Sequence, residues 1–371
     1  MSELAWRSPG RVNLIGEHTD YNDGFCLPLA IAQGCVATVS ELDDPVVEVV
    51  SAQQSDPVEI PLESLHPGGL SSADASQSWA GYAAGVVWAL QQRGHSLSGL
   101  SIAIDSDVPL GAGLSSSAAL ECSVAGAVND LFSLGLSPTE LVSVARQAEN
   151  EFVGAPTGGM DQLASVLCAA GTVLLCDMRS LEVERVPFDL DAAGLTLLVT
   201  DTKAPHQLTD GLYGERRASC EQAAQELGVP ALRDISLDQL DDAMARLSSD
   251  RLRKRARHVI TENDRTLQTA ALLRDGAIRE IGPLLTESHV SMRDDFENSV
   301  PEVDLAVEVM LAFEAYGARM TGGGFGGCVI GLFEPRQARA AVVALDGAFG
   351  GRGYAAPVSF TVLPGDGLRR V

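Results

Sequence analysis

The chain is expected to fold as an α+β protein of two lobes, and three observations predict this. Its 371 residues exceed what one hydrophobic core usually organises. Strand-like runs and helix-period segments are mixed without the strict alternation of a doubly wound sheet. The second half is dominated by long amphipathic stretches and closes on strand, helix, strand. The sequence marks the division weakly; it is set at residues 1–180 and 181–371, within a transition near 177–195.

Taken in order, Arg11 to Asp23 (R-V-N-L-I-G-E-H-T-D-Y-N-D) places one Arg, one Glu, one His and two Asp in a short run. Gly16 and Gly24 punctuate it and the apolar Leu27 to Ile31 follows, so it reads as a polar loop between ordered elements. Such a mixture of donors and acceptors suits a polyol, which is held by many directional hydrogen bonds. Val46–Val50 and Leu100–Asp105, rich in branched residues, predict strands. Trp79–Leu90 has helical apolar spacing, with Gly94 as its stop. Ser116–Leu134 predicts a second helix, and Ser137 caps a third running to about Phe152. Val173–Cys176 and Leu195–Thr200 return to strand character. Leu237 to about Leu273 predicts one or two amphipathic helices, and Val303–Tyr316 another. Cys328–Phe333, Gln337–Phe349 and Pro357–Val362 form the closing strand, helix and strand.

A net charge of −24 argues against a nucleic-acid partner, because that field repels phosphates. No run approaches the roughly 20 apolar residues of a membrane span, and the first nine residues do not resemble a secretory signal. Seven cysteines without paired short spacing predict reduced thiols, a cytoplasmic location and no zinc site. Cys26, Cys168, Cys176 and Cys328 lie in apolar runs and read as small core residues. Lys203 and Lys254 are the chain's lysines, so a phosphate site here can hardly rest on lysine.

Val108 to Glu121 reads V-P-L-G-A-G-L-S-S-S-A-A-L-E, between a predicted strand and a predicted helix. Gly111 and Gly113 permit close backbone approach, and Ser115, Ser116 and Ser117 bring N–H and hydroxyl groups to a helix N-terminus. This is the setting of an anion-binding loop, although the Gly-Lys-Ser/Thr ending of a Walker A loop is missing. Charge neutralisation then falls to the helix end, an arginine and Mg²⁺.

Three segments together resemble the GHMP family of small-molecule kinases: Pro9–Asn13, Pro109–Ala119 and Met320–Gly327. Gly10–Tyr21 (G-R-V-N-L-I-G-E-H-T-D-Y) is similar to the signature of that family's galactose-phosphorylating branch. Gly158–Gln162, Arg255–Asn263, Glu287–Phe296 and Tyr316–Cys328 extend the likeness almost end to end. The resemblance implies two α+β lobes with mixed and antiparallel sheets, helix layers, and an active site between them. It implies transfer of the ATP γ-phosphate to the anomeric C1 hydroxyl of galactose, by a monomer needing Mg²⁺.

By motif, the resemblance makes Asp161 the catalytic acidic residue facing the sugar hydroxyl and sets Arg11 beside it. Glu17, His18, Asp20, Gly158 and Tyr213 contact the sugar. Gly111, Gly113, Leu114, Ser115, Ser116, Ser117 and Trp79 bind the nucleotide, and Ser117 with Glu149 holds the metal. His206, His258 and His289 read as structural. The competing readings are a GHMP kinase for N-acetylgalactosamine, arabinose, mevalonate or homoserine, and a sugar- and ATP-binding regulator without catalysis. The full G-E-H-T-D-Y segment argues against the non-sugar substrates. The intact Ser115–Ala119 loop with Asp161 argues against lost catalysis.

Overall fold

The structure is a computed structural model and describes residues 3–69, 78–155, 157–204 and 209–371. Its first lobe carries β1 (Leu4–Asn13), β2 (Phe25–Cys26), β3 (Pro28–Leu42), β4 (Val46–Ser51) and β5 (Val58–Pro61). Next come α1 (Ala80–Gln92), β6 (Gly99–Ser106), α2 (Ser116–Leu131), α3 (Pro138–Gln147), α4 (Met160–Leu167), β7 (Thr172–Asp177) and β8 (Val183–Pro187). The second lobe opens with β9 (Thr196–Asp201), followed by α5 (Thr209–Leu227), α6 (Leu240–Arg246), α7 (Asp250–Arg274) and α8 (Gly282–Ser291). It continues through α9 (Pro301–Ala312), β10 (Gly317–Thr321), β11 (Cys328–Phe333), α10 (Pro335–Arg352) and β12 (Val358–Val362), after which β13 (Arg369–Arg370) returns to the first lobe's sheet.

A six-stranded sheet of order β13-β1-β3-β6-β4-β5 supports the first lobe. Its pairings are antiparallel except the parallel β4–β6 contact, and α2 packs across β1 and β3. A four-stranded antiparallel sheet, β10-β11-β9-β12, supports the second lobe. There α9 and α10 close a core that includes Met310, Phe333, Leu345 and Phe349. A small sheet β2-β7-β8 joins the polar run at β2, whose Phe25 carbonyl accepts the Thr19 hydroxyl at 2.7 Å. The expected division at 180/181 falls in the turn joining β7 to β8.

The capped and periodic elements form where the sequence puts them. Ser137 makes a capping box with Glu140, its hydroxyl accepting the Glu140 N–H at 3.3 Å. The segment beyond Gln147 departs from the expected single helix, winding as π-helix over Ala148–Val153. The long stretch after residue 237 divides at Leu247, and Ser249 caps α7 by accepting the Leu252 N–H at 3.3 Å.

Arg11 to Asn13 corrects the loop expectation, since these residues end β1 and only the remainder of the polar run leaves the sheet. A register shift between Pro9 and Arg11 marks a bulge, which re-aims the strand end. Gly10 permits it. A Cβ there would sit 2.7 Å from the Leu114 carbonyl, which instead accepts the Arg11 N–H at 3.1 Å. All seven cysteines are buried and unbridged. Among the described residues, no helix is long and apolar enough to cross a membrane.

Candidate active site

The bulge delivers the Arg11 guanidinium to the cleft, where it is almost fully buried. Its Nε donates to Asp161 Oδ1 at 2.8 Å, and Nη2 lies 2.8 Å from the same oxygen. Nη1 donates to the Gly113 carbonyl at 2.7 Å, so one side chain ties the acid to the glycine–serine loop. Asp161 sits in the first turn of α4, where the helix dipole favours a carboxylate, behind the left-handed N-cap Gly159 (φ 102°). Ser115 donates to Asp161 Oδ2 at 2.5 Å. The cost is a left-handed backbone at Ser115 (φ 59°), a conformation few non-glycine residues adopt.

Asp161 opens onto a cavity of about 140 Å³, whose wall includes Arg11, Glu17, Asp20, Tyr213 and Gly323. Glu17 is buried, accepts the Gly322 N–H at 2.7 Å, and lies 3.4 Å from Arg319 Nη1. Burial raises its pKa, against the pull of Arg319 and Arg11. Arg319, fully buried, also donates to the Asn13 and Leu14 carbonyls at 3.1 and 3.0 Å. Glu262 accepts the Gly16 N–H at 3.0 Å and the Ser288 hydroxyl at 2.6 Å. Burial pushes Glu262 up, but Arg265, His258 and Arg319 together bring it to about 2.

Both ring nitrogens of His18 are occupied within the protein. Nε2 lies 2.8 Å from Asn298 Nδ2 and 3.1 Å from the Gly323 carbonyl oxygen, and Nδ1 lies 2.9 Å from the Tyr21 hydroxyl. Burial lowers its pKa to about 3, so His18 is neutral and meets the cavity with its ring. Asp20 is pushed up to about 6 by burial and then by the charge of Asp161. Gly158 lies directly behind it, where any Cβ would overlap the Asp20 carboxylate. Gly159 and Met160 continue that wall. Tyr213, on α5, stands with its ring 5.5 Å from that of His18.

The loop after β6 adopts positive φ at Gly111 (70°) and Gly113 (75°). The third glycine run lies against it, since a Cβ on Gly322 or Gly327 would meet the Gly113 or Ala112 carbonyl at 3.2 Å. Leu114 is buried and anchors the loop through its carbonyl. Ser116, Ser117 and Trp79 line a neighbouring cavity of about 280 Å³ together with Tyr82 and Leu110. Ser117 donates to Glu149 Oε1 at 2.8 Å, while Thr157 and Gln162 each donate to Oε2 at 2.7 Å.

Among the described residues, no group of three His, Cys, Asp or Glu converges as an all-protein metal cage. One hydroxyl and one buried carboxylate do fit Mg²⁺, which keeps waters and shares phosphate oxygens. Burial and then Asp161 raise the Glu149 pKa, and a divalent cation beside that carboxylate relieves both.

The structure thus brings Arg11, Asp161 and Ser115 together, with Glu17, His18, Asp20 and Tyr213 around one cavity and Trp79, Ser116 and Ser117 around the next. His258 and His289 are buried and engaged, with Ser291 at 2.9 Å and Asp304 at 3.2 Å. His206 lies outside the described residues. The sequence reading missed Arg319, Glu262, Asn298 and Gln162. All but Asn298 fall inside quoted motif stretches, and an arginine in the apolar run of β10 is the visible signal.

Three family descriptions match: the galactokinase galactose-binding signature over residues 2–41, the GHMP kinase N-terminal domain over 81–169, and the GHMP kinase C-terminal domain over 269–350. A galactokinase of Streptomyces coelicolor is 49% identical across 100% of this chain and 94% of its own. One of Streptomyces lividans is 46% identical across 96% of this chain and 89% of its own. A crystal structure of Lactococcus lactis galactokinase complexed with galactose superposes with a TM-score of 0.93. It is 30% identical and covers 100% of this chain and 95% of that one.

Proposed function

This chain belongs to the galactokinases of the GHMP kinase family, and we propose that Asp161 and Arg11 carry its transfer of the ATP γ-phosphate to the C1 hydroxyl of galactose. The products are galactose 1-phosphate and ADP. The observation that carries the assignment of roles is the Arg11–Asp161–Ser115 constellation, which stands where the polar cavity meets the serine loop.

Galactose fills the cavity beside Asp161, with Glu17, Asp20 and Tyr213 as polar contacts, His18 as a ring surface and Gly158 making room for Asp20. ATP lies along the glycine–serine loop, its adenine toward Trp79. Each carboxylate oxygen has two lone-pair directions, so Asp161 accepts from Arg11 and Ser115 and still receives the C1 proton. The acceptor oxygen then attacks in line, and the loose transition state rewards positioning and charge stabilisation over full deprotonation. Arg11 orients Asp161 and lowers the cost of charge on the moving phosphoryl oxygens. Ser117 and Glu149 would hold Mg²⁺, which would neutralise nucleotide charge there. Seven buried, unbridged cysteines support a cytoplasmic setting.

The test is a panel of sugars incubated with ATP and Mg²⁺, with ADP release and the phosphorylated position as readouts. Galactose phosphorylated at C1 is the expected result. A preference for another sugar or another hydroxyl overturns the assignment.

Asp20 supplies a second, pH-dependent test. In the folded chain its pKa is about 6 against an ordinary 3.8, so the folded state holds an extra proton between those values. Stability therefore falls as pH rises through that window. Asp20→Asn removes this cost and is expected to melt higher than the parent near neutral pH, with the gap closing below about pH 4. The same variant loses a carboxylate acceptor, so its KM for galactose rises at least about tenfold while that for ATP changes little. A large ATP effect with an unchanged sugar requirement would mean the subsites are reversed.

A further inference from the structure

Glu149 is held at both ends. Its Oε1 faces the Ser117 hydroxyl, whereas Oε2 receives Thr157 Oγ1 and Gln162 Nε2, each at 2.7 Å. Gln162 directly follows Asp161 in the first turn of α4 and is fully buried. Its Nε2 also reaches Oε2 of Glu121 at 3.2 Å. Glu121 lies in the middle of α2, one turn beyond Ser117, and is itself fully buried. Among the described residues, Gln162 Oε1 and Glu121 Oε1 have no hydrogen-bond partner. A buried polar pair with two unsatisfied atoms is poor core material, and apolar residues of similar volume would serve stability better. What the pair accomplishes is directional, because it presents one amide N–H₂ to the far oxygen of Glu149.

We infer that Gln162, seated on Glu121, is a positioning residue that fixes Glu149 for its cation, keeping Oε2 engaged so that Oε1 stays with Ser117 and the metal. The inference rests on the reading of Ser117 and Glu149 as the metal pair. Asp161 and Gln162 are consecutive in the first turn of α4, about 100° apart around its axis, and bond to different partners, Arg11 with Ser115 and Glu149 with Glu121. One rigid element therefore sets the phosphoryl acceptor's acid and the metal carboxylate together, with Thr157, on the sugar-cavity wall, as the second restraint.

Outer hydrogen bonds of this kind are typically worth 10–100-fold in metal affinity. The experiment titrates Mn²⁺ into the protein–ADP complex and follows the free ion by electron paramagnetic resonance; calorimetry measures galactose affinity in parallel. Gln162→Leu, similar in size but without donors, is expected to weaken Mn²⁺ at least about tenfold while galactose affinity stays within about twofold. Glu121→Gln keeps an acceptor for Gln162 and is expected to retain Mn²⁺ binding. Thr157→Val removes the other donor and is expected to shift Mn²⁺ affinity in the same direction, which preserves the test if Gln162→Leu does not fold.

Glu149→Ala separates the two levels. If it leaves Mn²⁺ binding intact, the metal reading fails and this inference with it. If it abolishes binding while Gln162→Leu and Thr157→Val match the parent, the inference alone is overturned. Equal losses of Mn²⁺ and galactose affinity in Gln162→Leu, or loss of Mn²⁺ binding in Glu121→Gln, overturn it as well.

Discussion

Asp161→Asn is expected to lower turnover by about 10²–10⁴-fold, the contribution usual for a positioned acid–base group. The amide keeps the carboxylate's shape but cannot take the C1 proton. It also sets an N–H₂ group against Arg11 Nε or the Ser115 hydroxyl, where Oδ1 now accepts from the one and Oδ2 from the other. Nucleotide affinity should survive, because Trp79, Ser116 and Ser117 line a separate cavity. Steady-state kinetics with calorimetry of ATP binding reads both quantities. Turnover near the parent's would remove Asp161 from the chemistry, and collapse of ATP binding would make it a structural residue.

Arg11→Lys should cost about 10²–10³ in kcat, the range measured when one preorganised transition-state donor is lost. The charge remains, yet an ammonium cannot reproduce the planar fork that reaches Asp161 and the Gly113 carbonyl together. Releasing Gly113 also loosens the glycine–serine loop proposed to take the nucleotide, so a smaller rise in the KM for ATP is expected beside the fall in kcat. Single-turnover phosphoryl transfer separates the two effects. A parental transfer rate in Arg11→Lys would show that charge alone suffices, and the proposed double duty of the guanidinium would be lost.

Much of this architecture is legible in the sequence because it obeys local rules. α1 and α2 follow apolar periodicity, α3 announces itself through the Ser137–Glu140 box, and β6 and β11 are short apolar runs between turn formers. β1 is harder, since its buried positions include Ser8 and Arg11, polar residues whose side-chain partners lie far along the chain. β3 extends eleven residues past the apolar Leu27–Ile31, its second half alternating buried and half-buried positions that no motif flags. The contrast recurs in the site. Asp161, Arg11 and the serines stand in long motifs. The Arg319–Glu17 contact joins residues 302 positions apart inside the core, where a charged pair contradicts the ordinary expectation of apolar filling. His18 is a subtler case, because its place in a motif does not reveal that both nitrogens are already engaged.

The returning strand β13 pairs with β1 at Trp6–Arg370 and Arg7–Arg369, and the Val371 N–H donates to the Ala5 carbonyl at 3.0 Å. The first and last described stretches are therefore sheet neighbours. Severing the polypeptide midway would strip the larger sheet of its edge and yield no pair of autonomous halves. Circular permutation is the natural alternative: a short linker can bridge the neighbouring β1 and β13, and the chain can be reopened at a surface loop such as Gly94–Ser96, at the other end of α1 from Trp79.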